Sequence, residues 1–105
     1  MVAYRLSREA ENDIVNILEA SELAFGVPAR RRYEALLTTA FRDVASSPNR
    51  PGSLRLGSDF DPGLRQYHLR HSRQRARLDD GLVHAPRHIL IYRLDAVGPI
   101  QIVRV

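Results

Sequence analysis

The chain has 105 residues, 44% of them hydrophobic, with no cysteine, no lysine and a net charge of +4. That length supports one domain around one modest core, and the hydrophobic share excludes a disordered chain. Disulfide, thiol and zinc–thiolate chemistry are excluded by composition. No apolar run approaches the ~20 residues that span a bilayer, and the opening MVAYRLSREAEND lacks the apolar segment of a secretory leader, so the cytoplasm is the expected location.

In chain order, VAYRL (2–6) alternates and reads as a short strand. Ser7 is a candidate N-cap, with Glu9 and Glu11 in the first turns of a helix, where the dipole favours acids. Ala10, Ile14, Ile17, Leu18, Ala24 and Phe25 lie along one stripe, which predicts an amphipathic helix over 8–25. Gly26 suits the position after its end, and Pro28 the first turn of a second helix. Ala29, Tyr33, Leu36, Leu37, Ala40, Phe41 and Val44 mark that helix's apolar face to about residue 46, before Pro48. So short a link makes the two helices an antiparallel hairpin.

Residues 46–63, SSPNRPGSLRLGSDFDPG, are dense in turn formers and read as a loop with at most one helical turn. From 64 to 71 the period is two, with Arg65, Tyr67, Leu69 and His71 on one side of a strand. SRQRARLDDG (72–81) reads as a long, mobile hairpin loop. HILIYRL (88–94) reads as a central strand and PIQIVRV (99–105) as the last, joined by DAVG. The expected architecture is α+β: one domain over 1–105, an N-terminal helical hairpin packed on a small curved antiparallel sheet, with the first strand at an edge.

Charge divides unevenly. Residues 1–63 carry eight arginines against nine acids, whereas residues 64–105 carry eight arginines against three. Within the latter, LRQYHLRHSRQRAR (64–77) has five arginines and no acid. A basic surface of this kind favours a polyanion or an acidic protein, and composition alone does not choose between them.

YRLSREAENDIVNI, FGVPARRRYEALL, SSPNRPGS, GLRQYHLRHS and RHILIYRLDAVGPIQIVRV together resemble the RelE/ParE superfamily of type II toxin–antitoxin toxins over nearly the whole chain. The pairing of LR-x-Y-x-L-R-H with RH-x-L-I-Y-R and I-x-I-V-R-V resembles the ParE branch in particular. The resemblance implies a toxin without a cofactor or metal. Its partner would be a cognate antitoxin that lays a helix on the hairpin, giving a hetero-oligomer, and its target DNA gyrase. The RelE branch implies mRNA cleavage on the ribosome, and a non-toxic antitoxin-binding remnant is a third alternative. The tyrosine near the C-terminus typical of RelE nucleases has no counterpart, since the last tyrosine is Tyr92, inside a strand. ParE-like chains usually continue past VRV with a histidine-containing tail, which would bear on toxicity. Loop 72–81 is an insertion relative to compact ParE hairpins.

The residues offer little catalytic chemistry. Cleavage of RNA needs a base, an acid and cations. Arginine stays protonated and shuttles protons poorly, and His68 and His71 are expected on opposite faces of their strand. His84 and His88 are separated by Pro86. Asp59 and Asp61 in DFD are read as turn formers, and no metal-ligand spacing stands out. Catalytic residues are therefore expected to be absent, and direct nucleic-acid binding is not favoured, because stacking aromatics are sparse around the arginines. Arg65, Arg70, Arg73, Arg93 and Arg104 are the candidate target contacts. Ile14, Ile17, Leu18, Tyr33, Leu36 and Leu37 are first of all core, with a residual apolar groove along them as the candidate antitoxin seat. Arg30, Arg31 and Arg32 are expected to pair across the hairpin with Glu19 and Glu22, beside Glu34.

Overall fold

The computed structural model describes residues 3–56, 63–94 and 98–105. Strand β1 (Tyr4–Leu6) leads into helix α1 (Arg8–Phe25), which Gly26 joins directly to helix α2 (Val27–Ser46). Gly26 has φ 91° and ψ 174°, a backbone conformation open in practice only to glycine. Its N–H donates to Glu22 O at 2.8 Å and its carbonyl accepts from Arg30 N at 3.2 Å, so one residue closes the first helix and opens the second. The start of α1 is fixed by Ser7, whose Oγ accepts from Ala10 N at 3.0 Å and donates to Val103 O at 2.7 Å. That pair of bonds couples a helix cap to the last strand.

Strands β2 (Ser53–Arg55), β3 (Leu64–His68), β4 (Ile89–Arg93) and β5 (Ile100–Arg104) join β1 in one sheet, ordered β1-β5-β4-β3-β2. β1 runs parallel to β5 at one edge; the other pairings are antiparallel. The architecture is α+β, with the hairpin on one face of a mixed sheet. Its core combines Leu36, Leu37, Ala40, Phe41 and Val44 of α2 with Tyr67, Leu90, Tyr92, Ile100 and Ile102 of the sheet. Each large side chain buried there stabilises the fold by about 1.5–3 kcal/mol. Cross-strand partners share a face, so Leu64 and Arg93, Gln66 and Ile91, and His68 and Ile89 form the opposite side of the sheet.

Three expectations need correction. The strand beginning at Leu64 ends at His68, and Leu69–Ser72 form a 3-10 turn. A turn with a period of three buries Leu69 and Ser72 together, which a continued strand does not allow. Residues 46–63, expected as a loop, contain β2, paired with β3. Segment 72–81 is not a loose loop: Ser72, Ala76 and, just beyond, Leu82 are buried. DFD (59–61) and residues 95–97 of DAVG lie outside the described residues.

Candidate functional site

The segment after the 3-10 turn is held by a carboxylate on α2. Asp43 is 3% exposed and accepts from Ser72 Oγ at 2.7 Å. Arg75 Nη1 lies 2.6 Å and Arg50 Nη1 3.3 Å from its other oxygen. Ser72 Oγ also bonds the hydroxyl of buried Tyr67, and the Arg50 guanidinium sits 5.7 Å from the Tyr67 ring centre. Farther along, Arg32 Nη1 of α2 meets Asp80 Oδ2 at 2.9 Å. Two helix residues, eleven positions apart, thus clamp residues 72–81 along α2.

From there the chain returns along the hairpin as a third wall. Between it and the helices lies a groove of about 850 Å³. Asn16, Ile17, Ala20, Ser21, Ala24 and Phe25 of α1 line one side, Ala29, Arg32 and Tyr33 of α2 the base, and Leu82, Val83, His84, Ala85, Arg87 and His88 the other side. The space exists because alanine and serine occupy facing positions where larger side chains would fill it. Phe25, 79% exposed, and Leu23, 89% exposed, leave an apolar lip at the hairpin tip. Such side chains are costly to hydrate and mark a contact surface. At the base Tyr33 hydroxyl bonds His88 Nδ1, with the two rings edge-to-face at 5.5 Å. Burial pushes the His88 imidazole below its usual pKa, against the opposing pull of Asp13. Burial likewise raises the Tyr33 phenol. His88 is therefore held neutral.

Of the six nonpolar residues expected to seat a partner, Ile17 and Tyr33 line this groove. Leu18, Leu36 and Leu37 are buried in the core and Ile14 packs against it, so none of these four is a lining residue. The third wall carries most of what sequence reasoning missed; the apolar residues Leu82 and Val83 were the available signal.

The candidate target arginines do not converge on one site. Arg65 Nε donates to Ser53 Oγ at 2.7 Å, and the same oxygen bonds Tyr92 hydroxyl, which donates to Pro48 O at 2.6 Å. Arg73 donates to His84 O at 2.8 Å. Arg104 makes a two-pronged contact with Asp13, at 2.8 and 2.9 Å. Arg104, with help from the Val105 N–H, holds the Asp13 carboxyl below its usual pKa. Arg93 is half-buried on the open sheet face, and Arg70 is exposed on the 3-10 turn. His68 and His71 are not opposed across a strand: His68 Nδ1 accepts from Arg70 N at 3.0 Å, and His71 lies beside Tyr67 with ring centres 5.4 Å apart. Burial lowers both pKa values, and Arg70 lowers them further. In the arginine run, Arg30 reaches Glu22 at 3.5 Å, as expected across the hairpin. Arg32 turns instead to Asp80, and Arg31 faces a smaller hollow of about 380 Å³ with Glu34 and Arg42. Among the described residues no group of three or more His, Asp or Glu side chains is placed to hold a metal ion. None of the described helices is long and apolar enough to cross a membrane.

The family of ParE toxins of the type II toxin–antitoxin system parDE matches residues 4–105. The chain belongs to the ParE toxin family. It is therefore the toxin of a type II module, and membership implies an antitoxin partner. No curated protein matches the chain. The groove has the mixed lining of a protein-binding surface: apolar side chains from all three walls, with Arg32, Arg87, His84 and His88 among them.

Proposed function

We propose that this ParE toxin acts in the cytoplasm by binding and inhibiting DNA gyrase, without bond-breaking chemistry of its own, and that its antitoxin neutralises it by occupying the hairpin groove. The observation that carries the reading is the family match across residues 4–105. Two features support it. Arg65, Arg73 and Arg104 engage separate parts of the fold rather than surrounding one reacting centre. The half-buried Ile17 and Tyr33 in the groove suit the apolar side of a partner's amphipathic helix. Arg70 and Arg93 are our choice for target contact, at the end and on the open face of the sheet.

The test is a supercoiling assay with purified toxin, gyrase, relaxed plasmid and ATP. Loss of supercoiling or trapped cleaved DNA, relieved by the antitoxin, is the expected result. Full gyrase activity in the presence of folded toxin overturns the reading; cleavage of mRNA on ribosomes by the same preparation would assign the toxin a nuclease activity instead.

A further inference from the structure

We propose that Asp80 holds, in the free toxin, the seat on Arg32 that a carboxylate of the antitoxin takes in the complex, so that the toxin carries its own competitor for its partner. The inference rests on the antitoxin reading above and adds the partner's chemistry and a regulatory contact.

Charge complementarity selects the occupant. The groove lining contains Arg32, Arg87, His84 and His88, and no aspartate or glutamate. A segment that fills it needs an apolar side toward Ile17 and Leu82 and an acidic side chain toward Arg32. A basic segment would meet like charge there, which disfavours binding. The antitoxin segment is thus amphipathic and acid-bearing.

The seat is already in use. Arg32 Nη1 and Asp80 Oδ2 are 2.9 Å apart, and their side chains are 27% and 50% exposed. Asp80 is presented by a tight turn in which Leu78 and Gly81 exchange backbone bonds at 2.9 and 3.0 Å. Gly81, at φ 124°, takes the left-handed conformation that the turn requires. A solvent-exposed pair of this kind is weak. A partner carboxylate, carried by a segment that also buries apolar surface in the groove, therefore displaces Asp80 and keeps the guanidinium.

The test measures affinity of the full-length toxin for the purified antitoxin of the same module by titration calorimetry. Asp80→Asn removes the competitor and tightens binding about two- to fivefold, the range expected for one exposed ion pair. Arg32→Gln weakens binding at least as much. In the Arg32→Gln background, Asp80→Asn has no further effect. Raising salt to about 0.5 M shrinks the difference between wild type and Asp80→Asn. Weaker or unchanged binding for Asp80→Asn overturns the proposal; a lowered melting temperature alongside it makes Asp80 a strut that holds the wall. Unchanged binding for Arg32→Gln overturns it by removing the seat. If the antitoxin binds wild type and every variant alike, the seat is wrong but the partner is right. If it binds none of them, the antitoxin reading itself fails.

Discussion

The clamp at Asp43 decides whether the third wall of the groove exists. Replacing Asp43 with asparagine keeps the shape and the acceptor for Ser72 Oγ but removes the charge facing Arg50 and Arg75. Those two arginines bear the loss unequally. The Arg75 side chain is 63% exposed and relaxes into water, whereas Arg50 is 19% exposed and Asp43 only 3%. Arg50 Nε is already buried without a hydrogen-bond partner, so the loss of Asp43 leaves that guanidinium poorly compensated. Breaking a buried pair by removing one partner costs about 3–5 kcal/mol, and the freedom of Arg75 puts this case near the lower end, at ~3 kcal/mol. A domain of this size has a total stability of about 5–15 kcal/mol, and each kcal/mol moves its melting point by ~4–8 °C. Asp43→Asn should therefore melt ~12–24 °C below wild type by circular dichroism. Below the transition, trypsin should cut faster at Arg73, Arg75 and Arg77, because the segment they occupy has lost its anchor. A melting point within ~2 °C of wild type, with unchanged tryptic cleavage, would refute the idea that this carboxylate holds the wall.

Two further outcomes follow from the same geometry. Ser7→Ala removes both the cap on Ala10 N and the bond to Val103 O, and urea unfolding should show a loss of about 1–2 kcal/mol; Ser7→Thr, which keeps the hydroxyl, should restore most of it. Acidification should destabilise the fold through its histidines before Asp13 titrates. His68, His71 and His88 all have folded pKa values below 6.5, chiefly through burial. Between each folded value and 6.5 the unfolded chain binds more protons, so stability is full above 6.5 and falls as pH drops through that window. Asp13 adds a separate loss below 3.8, as pH falls through its depressed folded value. Melting points at pH 7.5 and 5.5 should differ in favour of pH 7.5, and His88→Gln should narrow the gap; equal melting points in wild type would contradict the assignment of imidazoles held neutral by partial desolvation.

What the sequence revealed and what it hid divide along the range of the interactions. The helices were legible because their determinants are local: Ser7 caps within three residues, Gly26 breaks at a single position, and the apolar stripes repeat every turn. β4 was legible from its apolar ILIY run and β5 from the alternation in PIQIVRV. β2 was not, since Ser53, Leu54 and Arg55 carry no period and become a strand only by pairing with β3. Alternation continues on paper through His71, but Asp43, twenty-nine residues earlier, draws Ser72 inward and turns the chain. Segment 72–81 reads as a mobile loop for the same reason. Its anchors, Asp43 and Arg32, lie on another element, and a polar run does not announce remote partners. Two walls of the groove could be read from the stripes of α1 and α2; the third could not.

The arginines show how far composition carries an argument about binding. Arg65 bridges β3 to β2, and Arg104 joins β5 to α1 across ninety-one residues of sequence. Loss of either to alanine removes a structural fork as well as a surface charge. An alanine scan for toxicity therefore mixes two effects at these positions. Lysine separates them, because it keeps the charge and discards the planar fork. A target contact that depends on charge survives Arg→Lys at Arg70, while the two-pronged pairing of Arg104 with Asp13 does not. An arginine has five donors, and a structural bond engages only one or two. A guanidinium that braces the fold at an exposed site still presents the rest to a partner. Structural duty and recognition are thus compatible in the same side chain, and the fork, rather than the charge count, sets which of them a substitution disturbs.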